Sequence, residues 1–336
     1  MTKIRKLYYF DKKNTQEMIS FLNDCINDNY VNKVMFNPFL PLHHLLPLKF
    51  KFLPESYILK RENYIRGLIT IAPVKSRDKK MEIQKLFFEE NSYAEAFELV
   101  QYAVSKYKAM GAPSIMVKVD DYLSDLITMF ISKCGFSQIS NEKIWRITQF
   151  SNTPFNEKEF RNFRNSDAKA VAELYNNLLL PHFRPLFNLD KTEFKEDLLK
   201  GLAYYSEYKY IIENNTTGDI TGCIIIKTSD NENFIIDIIQ SDWMESDINP
   251  ILNFISQQIK KRKKRFGMFI RTKHYTSIGD KYEKQFIENG FECVQNQIIL
   301  TNSSARVLKE PFKNTSYTML TDLLTTKPAP TQCKEL

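Results

Sequence analysis

The sequence has few of the residues and patterns that build common enzyme sites. Glycine is sparse, at 9 of 336 positions. A glycine-rich loop, whose main-chain amides approach a phosphate closely, is therefore not expected. The five cysteines are scattered without C-x-x-C spacing, and the four histidines form no ligand pattern. These absences predict reduced thiols, a cytoplasmic protein and no bound metal. No Walker, HExxH or GxSxG motif occurs.

Long apolar runs are also missing. No run reaches the roughly 18 apolar residues that a membrane-spanning helix needs, and the basic N-terminus is not followed by the apolar stretch of a secretory signal. We therefore expect no contact with a membrane and no leader.

The net charge of +7 is concentrated in one basic block, Lys260–Arg265. Cations are favourable at a helix C-terminus, so we interpret this block as a solvated helix end. The alternative is contact with a nucleotide phosphate or an acidic partner. Aromatic residues do not interleave with the basic residues on one face, so the block does not favour a nucleic-acid partner.

The chain does have hydrophobic periodicity typical of a globular protein, and its length suits two domains. In the first half, strands and helices alternate in a recognisable order. The predicted strands are Tyr57–Arg61, Ile65–Ala72, Lys80–Phe88, Ser114–Val119 and Lys143–Thr148, and the predicted helices are Tyr93–Met110 and Leu123–Cys134.

The second half repeats this order. Its predicted strands are Tyr208–Glu213, Thr221–Lys227, Phe234–Gln240, Met268–Thr272 and Gln297–Thr301, and its predicted helices are Ile248–Arg265 and Gly279–Asn289. A further strand and helix, ending in Ala168–Leu180, precede these elements, as Ile4–Phe10 and Thr15–Ile26 do in the first half.

Matched residues at a constant spacing indicate that the chain is a duplication. Gly67 and Gly222 are 155 residues apart (222 − 67), and both begin a buried strand. The helix-stopping pairs that start at Gly135 and Gly290 have the same separation (290 − 135), and so do two strand carboxylates, considered below. The shared order of elements makes chance a weaker explanation.

The polar, proline-containing stretch 151–154 is typical of a linker. We therefore predict one domain over residues 1–150, which we call copy one, and a second over residues 151–309, copy two. The segment 310–336 is rich in Thr, Pro and Lys, a composition that predicts a disordered tail.

Several phrases resemble the GNAT (N-acetyltransferase) superfamily. Phe160–Tyr175 is similar to its opening strand and helix, Tyr64–Ile71 and Asp219–Ile226 to its central strand, and Phe130–Phe136 and Phe286–Phe291 to the end of its last helix. The resemblance implies an α/β (α+β) fold with two tandem GNAT-like domains, each a mixed, mostly antiparallel central sheet flanked by helices.

The resemblance also implies a function, a CoA-dependent N-acyltransferase. Acetyl-CoA or another acyl-CoA would be the co-substrate and a small-molecule or protein amine the acceptor. The competing hypothesis is a non-catalytic GNAT-like binding or regulatory module with degenerate CoA sites. The sequence does not predict the acceptor or the oligomeric state.

The family binds acyl-CoA through a glycine-rich turn before the helix that follows its fourth strand, but both matching turns here lack glycine and carry carboxylates. Copy one keeps small residues, which makes it the favoured CoA site. The implied cofactor-binding residues are Asn91, Ser92, Tyr93, Ala94 and Ala96. Alternatively, both turns are ordinary helix starts whose acids complement the helix dipole.

Glu82 and Asp237 are the candidate general bases, because carboxylates within apolar strands can have raised pKa values. Alternatively, each faces solvent on the other side of its strand. The family's general-acid tyrosine would stand at Ile131 or Phe286, neither of which donates a proton. The nearby candidates are Tyr122, Tyr275 and Tyr282.

His182 and Arg184 follow the first helix of copy two, in a region that shapes the acceptor pocket in GNAT-like folds. They are the candidate substrate-binding residues. The adjacent His43 and His44 lack a third ligand, so we interpret them as part of an apolar loop or short helix rather than a metal site.

Overall fold

The computed structural model describes most of the chain, and all structural statements below concern that part. The described residues are 3–21, 54–62, 64–74, 80–89, 92–148, 154–196, 205–241 and 247–303. The predicted tail, His43 and His44, and most of the predicted linker lie outside them.

Twelve strands form one sheet, and helices cover both of its faces. The strands are β1 Lys3–Lys6, β2 Glu55–Arg61, β3 Tyr64–Pro73, β4 Met81–Phe88, β5 Ser114–Asp120, β6 Ser137–Arg146, β7 Phe160–Asn162, β8 Ser206–Glu213, β9 Ile220–Thr228, β10 Asn233–Gln240, β11 Gly267–Lys273 and β12 Glu292–Ser303. The helices are α1 Lys12–Phe21, α2 Tyr93–Ala109, α3 Ser124–Thr128 with a π-helical turn Met129–Lys133, α4 Ala168–Leu178, α5 Arg184–Phe187, α6 Asn249–Lys260 and α7 Gly279–Glu288.

The two halves exchange their last strands. The strand order is β1-β2-β3-β4-β5-β12-β6-β11-β10-β9-β8-β7, so β12 of copy two lies beside β5 of copy one, and β6 of copy one lies beside β11 of copy two. The mixed, mostly antiparallel α/β architecture is confirmed. The two expected sheets, however, are continuous through β6 and β12. The boundary between residues 150 and 151 stays a prediction.

The duplication is visible at the centre of the sheet. Glu142 of β6 pairs with Gln297 of β12, which stands 155 residues later (297 − 142). Asn141 donates a hydrogen bond of 3.1 Å to the side chain of Asn296, again at a separation of 155. Equivalent positions therefore meet each other, as expected beside an approximate two-fold axis between β6 and β12.

A second repeated feature joins the first strand of each half to the turn before its first helix. Arg5 donates two hydrogen bonds of 2.7 Å to Asp11, and Arg161 donates hydrogen bonds of 2.7 and 3.1 Å to Asp167. Both aspartates are buried, and bidentate pairing supplies the hydrogen bonds that a buried carboxylate requires. This repeat supports the duplication independently of the glycines.

Gly67 and Gly222 are glycines because the neighbouring strand approaches too closely for a side chain. A Cβ at residue 222 would lie 2.9 Å from the Ile239 carbonyl oxygen, and one at residue 67 would lie 3.1 Å from that of Phe87. The glycines at 135 and 290 serve a different purpose. Both have φ of +70°, the left-handed conformation that ends a helix, as the sequence predicts.

The exchange also mixes the two hydrophobic cores. Leu300 of β12 belongs to the core of copy one, while Trp145 of β6 and Ile147 belong to the core of copy two. Each half thus buries side chains that the other half provides, and burial of a large apolar side chain contributes about 2 kcal/mol.

This mixing predicts that neither half folds alone as a monomer. Residues 1–150 would leave β5 without its β12 neighbour, and residues 151–309 would leave β11 without β6. Separately produced halves should lack cooperative unfolding or dimerise, and mixing them should give a 1:1 complex by size-exclusion chromatography and circular dichroism. A monomeric 1–150 fragment that unfolds cooperatively would contradict the exchange.

Candidate functional site

Two parallel strands of copy two separate to leave a cleft. β10 and β11 pair from Asn233 with Gly267 to Asp237 with Arg271, but β10 continues to Gln240 and β11 to Lys273 without pairing further. The carboxyl ends of neighbouring parallel strands are where ligands bind in open α/β sheets. Main-chain groups of both strands face the cleft without a strand partner there.

The cleft lies within the sheet, and side chains from both faces line it. Its lining residues are Tyr175, Leu178, Ile238, Ile239, Arg271, Thr272, Lys273, Thr276, Ile278, Gly279 and Tyr282. Tyr175 and Leu178 belong to α4 and Tyr282 to α7, so the cleft has one side beside α4, which we call the α4 mouth, and another beside α7.

Alternation along β11 assigns its side chains to the two faces. Thr272 points to the α7 face, where its hydroxyl donates to Glu283 of α7 at 3.0 Å. Arg271 and Lys273, one residue to either side, therefore point to the α4 face. Consistent with this, the Lys273 ammonium lies 5.8 Å from the ring centre of Tyr175 in α4.

The start of α7 is held tightly against β11. Gly279 opens the helix, and a Cβ there would lie only 2.4 Å from the Lys273 carbonyl oxygen. No other residue fits this approach without moving backbone. The glycine thus fixes the position of the first turn of α7, which carries Tyr282 into the cleft wall.

Tyr282 presents a hydroxyl at this site. It donates a hydrogen bond of 2.6 Å to the side chain of Gln240, the last residue of β10. Burial raises the pKa of Tyr282 well above its usual value, so the hydroxyl keeps its proton at neutral pH.

A buried ionic cluster lies on the α4 face, next to the cleft. Glu142 of β6 is fully buried, and its carboxylate lies 2.8 Å from Lys118 and 3.7 Å from Arg271. The Tyr275 hydroxyl donates to it at 2.6 Å. Burial raises the pKa of Glu142, but the surrounding cations outweigh this effect and lower it to about 2. Asp237 completes the cluster, 2.9 Å from Lys273.

Solved structures share the overall fold of this chain. A tandem GNAT protein from the clavulanic acid biosynthesis pathway superposes with a TM-score of 0.60 at 8% identity, covering 91% of this chain and 99% of that chain. A GCN5-related N-acetyltransferase from Sphaerobacter thermophilus gives 0.59 at 10% identity, covering 90% and 95%. The chain has a tandem GNAT fold. At these identities the likeness concerns the fold alone. No protein-family profile and no curated protein matches the sequence.

Within this GNAT fold, the two candidate bases are not equivalent. Glu82 pairs with Ala72, whose counterpart 155 residues later is Lys227 (227 − 72), and Lys227 pairs with Ile235. The structural counterpart of Glu82 is therefore Ile235 rather than Asp237. The segment from Ala72 to Glu82 is two residues longer than the segment from Lys227 to Ile235 (82 − 72 = 10; 235 − 227 = 8), and this difference breaks the simple count along the sequence.

Asp237 is buried, but it does not have the raised pKa that the sequence suggested. Burial raises the pKa of Asp237, whereas neighbouring cations, Lys273 and Arg271 foremost, outweigh burial and hold it far below its usual range. The carboxylate is therefore ionised and engaged at neutral pH. Glu82 is half-buried on β4 and does not line the cleft.

The residues considered as general acid also differ in their surroundings. Phe286, at the family's general-acid position, is buried against Trp145 and Phe291, while Tyr282 one turn earlier lines the cleft. Tyr275 is bound to Glu142, and Tyr122 is 74% exposed. Sequence spacing missed Tyr282 as the first choice, because the family position was counted from the helix end.

The proposed CoA turn of copy one is only partly a loop. Asn91 lies outside the described residues, and Ser92 precedes α2, which begins at Tyr93. Ala94 is exposed, but the Ala96 side chain is buried in the core. Its small size is explained by packing. Glu89 and Glu95, near the start of α2, pair with Arg66 and Arg61.

The remaining candidates lie at the surface. His182 and Arg184 are exposed and do not line the cleft, while the intervening Phe183 is buried and packs near Tyr275. The helix before the basic block ends at Lys260, five residues earlier than predicted, and Arg262 lies 3.7 Å above the ring of Tyr208.

Two further findings bound the chemistry. Among the described residues, no group of three or more His, Cys, Asp and Glu side chains is placed to hold a metal ion. In the same part of the chain, no helix combines the length and apolarity that crossing a membrane requires.

The Glu142 cluster predicts a specific pH dependence. Because the folded pKa of about 2 lies below the ordinary 4.5, the stability that Glu142 contributes is present above pH 4.5 and is lost as the pH falls toward 2. Glu142→Gln should lower the free energy of unfolding at pH 7 by about 3 kcal/mol and flatten the acid loss, measured by urea unfolding.

Glu292→Gln is the matched control, since Glu292 is 64% exposed and pairs with Arg146 at the surface. It should change the free energy of unfolding by less than about 1 kcal/mol. If Glu142→Gln behaves like this control across the whole pH range, the cluster is not a stabilising element.

Proposed function

We propose that this chain is a CoA-dependent N-acyltransferase whose working site is the copy-two cleft between β10 and β11. The observation that carries the proposal is a cleft between two separated parallel strands, lined by side chains of both sheet faces, with a protonated tyrosine hydroxyl in its wall. An acyl donor and an amine that approach from opposite faces would meet there. The tandem GNAT fold supports this activity by analogy.

An extended acyl-CoA arm would lie along the separated ends of β10 and β11. The ends of β10 and β11 offer main-chain donors and acceptors that no strand pairs across the cleft, and an extended chain with amide groups can pair with such edges. Gly279 lets the start of α7 pack closely against the main chain at Lys273, in the adjoining wall. Bound acyl-CoA would supply the activated acyl group, while this chain positions it and excludes water.

Tyr282 is the residue we assign to proton donation. Acyl transfer to an amine releases a thiolate and a proton from the amine nitrogen. Tyr282 would give its hydroxyl proton to the thiolate, and the proton from the amine would restore the hydroxyl. We do not assign Asp237 the role of general base, because its carboxylate lies 2.9 Å from Lys273 and is held in the ionised form. Its charge instead positions the cation that lines the cleft.

A non-catalytic binding module remains the second candidate, and specific contacts favour it. Arg61 lies 2.9 Å from Glu95 in the first turn of α2, so that helix start already has its charges paired. In copy two, Asp247 accepts a hydrogen bond of 3.0 Å from the main chain of Asn249 at the start of α6. Both helix starts thus present carboxylates where a phosphate would otherwise bind.

Titration calorimetry with acetyl-CoA separates these candidates and the two copies. We expect binding in the micromolar range, about −8 kcal/mol, that survives Ala94→Trp at the exposed start of α2. Loss of binding in Ala94→Trp would place the site in copy one, as the small residues there suggest. Absence of binding up to about 1 mM would reject acetyl-CoA as the ligand.

Tyr282→Phe tests the catalytic assignment. It should lower kcat about 100-fold with any accepted amine while leaving the Kd for acetyl-CoA within threefold, because only the proton donor is lost. Tyr107→Phe is the matched control, since it removes another buried tyrosine hydroxyl, one that donates to Glu55 in copy one at 2.8 Å. Equal rates for the two variants would exclude Tyr282 as the proton donor.

A further inference from the structure

We propose that the amine acceptor carries a carboxylate, which binds to Arg271 and Lys273 at the α4 mouth of the cleft. This inference rests on the proposed acyltransferase function and names the substrate class of the same site. It is carried by the charge of the cleft wall and by one donor of Arg271 that makes no hydrogen bond.

The cleft wall is positive. Among its lining residues, Arg271 and Lys273 are the charged side chains, and no carboxylate lines it. The other polar side chains are hydroxyls, from Tyr175, Tyr282 and two threonines. An ammonium group would be repelled by these two cations. A carboxylate would be attracted to them and could also accept their hydrogen bonds.

Arg271 also has a donor available. Its Nε atom is buried and makes no hydrogen bond with any described residue, since the Glu142 carboxylate is 3.7 Å away. A guanidinium offers donors in a planar fork that matches a carboxylate, so Arg271 can bind one in the bidentate manner. Lys273, at the end of β11, adds a second cation within the same wall.

An acceptor carboxylate and a CoA phosphate share the chemistry needed here, but the two faces of the sheet distinguish them. The helix that follows β10 is α6, and its Phe254 packs 5.2 Å from the ring of Tyr210 in β8. Lys209, the neighbour of Tyr210, points to the α4 face and bonds Phe194. The start of α6 thus belongs to the face opposite Arg271 and Lys273, which favours the acceptor as the source of the anion.

Matched pairs of amines test the proposal on the unaltered protein. With saturating acetyl-CoA, each amino acid is compared with its decarboxylated amine, using lysine and cadaverine, histidine and histamine, and phenylalanine and phenethylamine. We expect kcat/KM to be at least tenfold higher for the carboxylate-bearing member of the best pair. Acetyl transfer with no such preference would overturn the inference and leave the acyltransferase function intact.

If no amine is acetylated, the proposed function fails first, and binding decides the inference separately. Ligand-observed NMR with the same pairs and acetyl-CoA present should then show saturation transfer to the carboxylate-bearing member alone. Equal transfer to both members, or none to either, would overturn the carboxylate site.

Arg271→Lys supplies the residue-level test. It keeps the cluster's charge, so folding should be retained, but removes the planar fork. The acceptor KM should rise at least tenfold with the KM for acetyl-CoA unchanged, while the control Arg146→Lys, at a surface pair with Glu292, should change neither. A rise confined to the KM of acetyl-CoA would assign Arg271 to a CoA phosphate and overturn the proposal.

Discussion

The insertion of β12 between β5 and β6 is the contact on which the rest of the sheet depends. It joins two six-stranded repeats into one sheet, and it brings Glu142 of β6 beside Arg271 of β11. Without the exchange, β12 rather than β6 would be the neighbour of β11, and Glu142 would not lie beside Arg271. The positions of Arg271 and Lys273, which line the cleft, therefore depend on a strand supplied by the other copy.

The two copies share a plan but differ in charge along it. Lys118 of β5 corresponds to Arg271 of β11, since they pair with Ile299 and Ile144, which are equivalent by the 155-residue offset (299 − 144). Lys118 and Arg271 both approach Glu142, whose counterpart is the neutral Gln297. The single carboxylate of Glu142 thus interacts with two cations at the centre of the sheet. This asymmetry gives copy two a site with features that duplication alone would not produce.

Much of the fold could be predicted from the sequence, because strand alternation and helix periodicity are local. The glycines at 135 and 290 marked the helix ends correctly, whereas the close strand approach at residues 67 and 222 became visible only in the structure. The strand exchange could not be predicted, since β6 and β12 occupy equivalent positions in the two repeats. The longer connection between Ala72 and Glu82 likewise broke the match of Glu82 with Asp237.

The candidate site was less predictable than the fold. The sign of the Asp237 pKa shift depends on cations from β9 and β11, which are close in space and distant along the chain. Ala96 seemed a small loop residue and is a core residue of α2. Tyr282 became prominent only when the separation of β10 from β11 showed which face of α7 meets the cleft.

Hydrogen exchange measured by mass spectrometry, with and without saturating acetyl-CoA, shows which copy holds the working site. We expect slower exchange at the end of β10, Ile238–Gln240, and over residues 276–282 at the start of α7. Protection confined to the start of α2, residues 92–96, would contradict this expectation and place the working site in copy one.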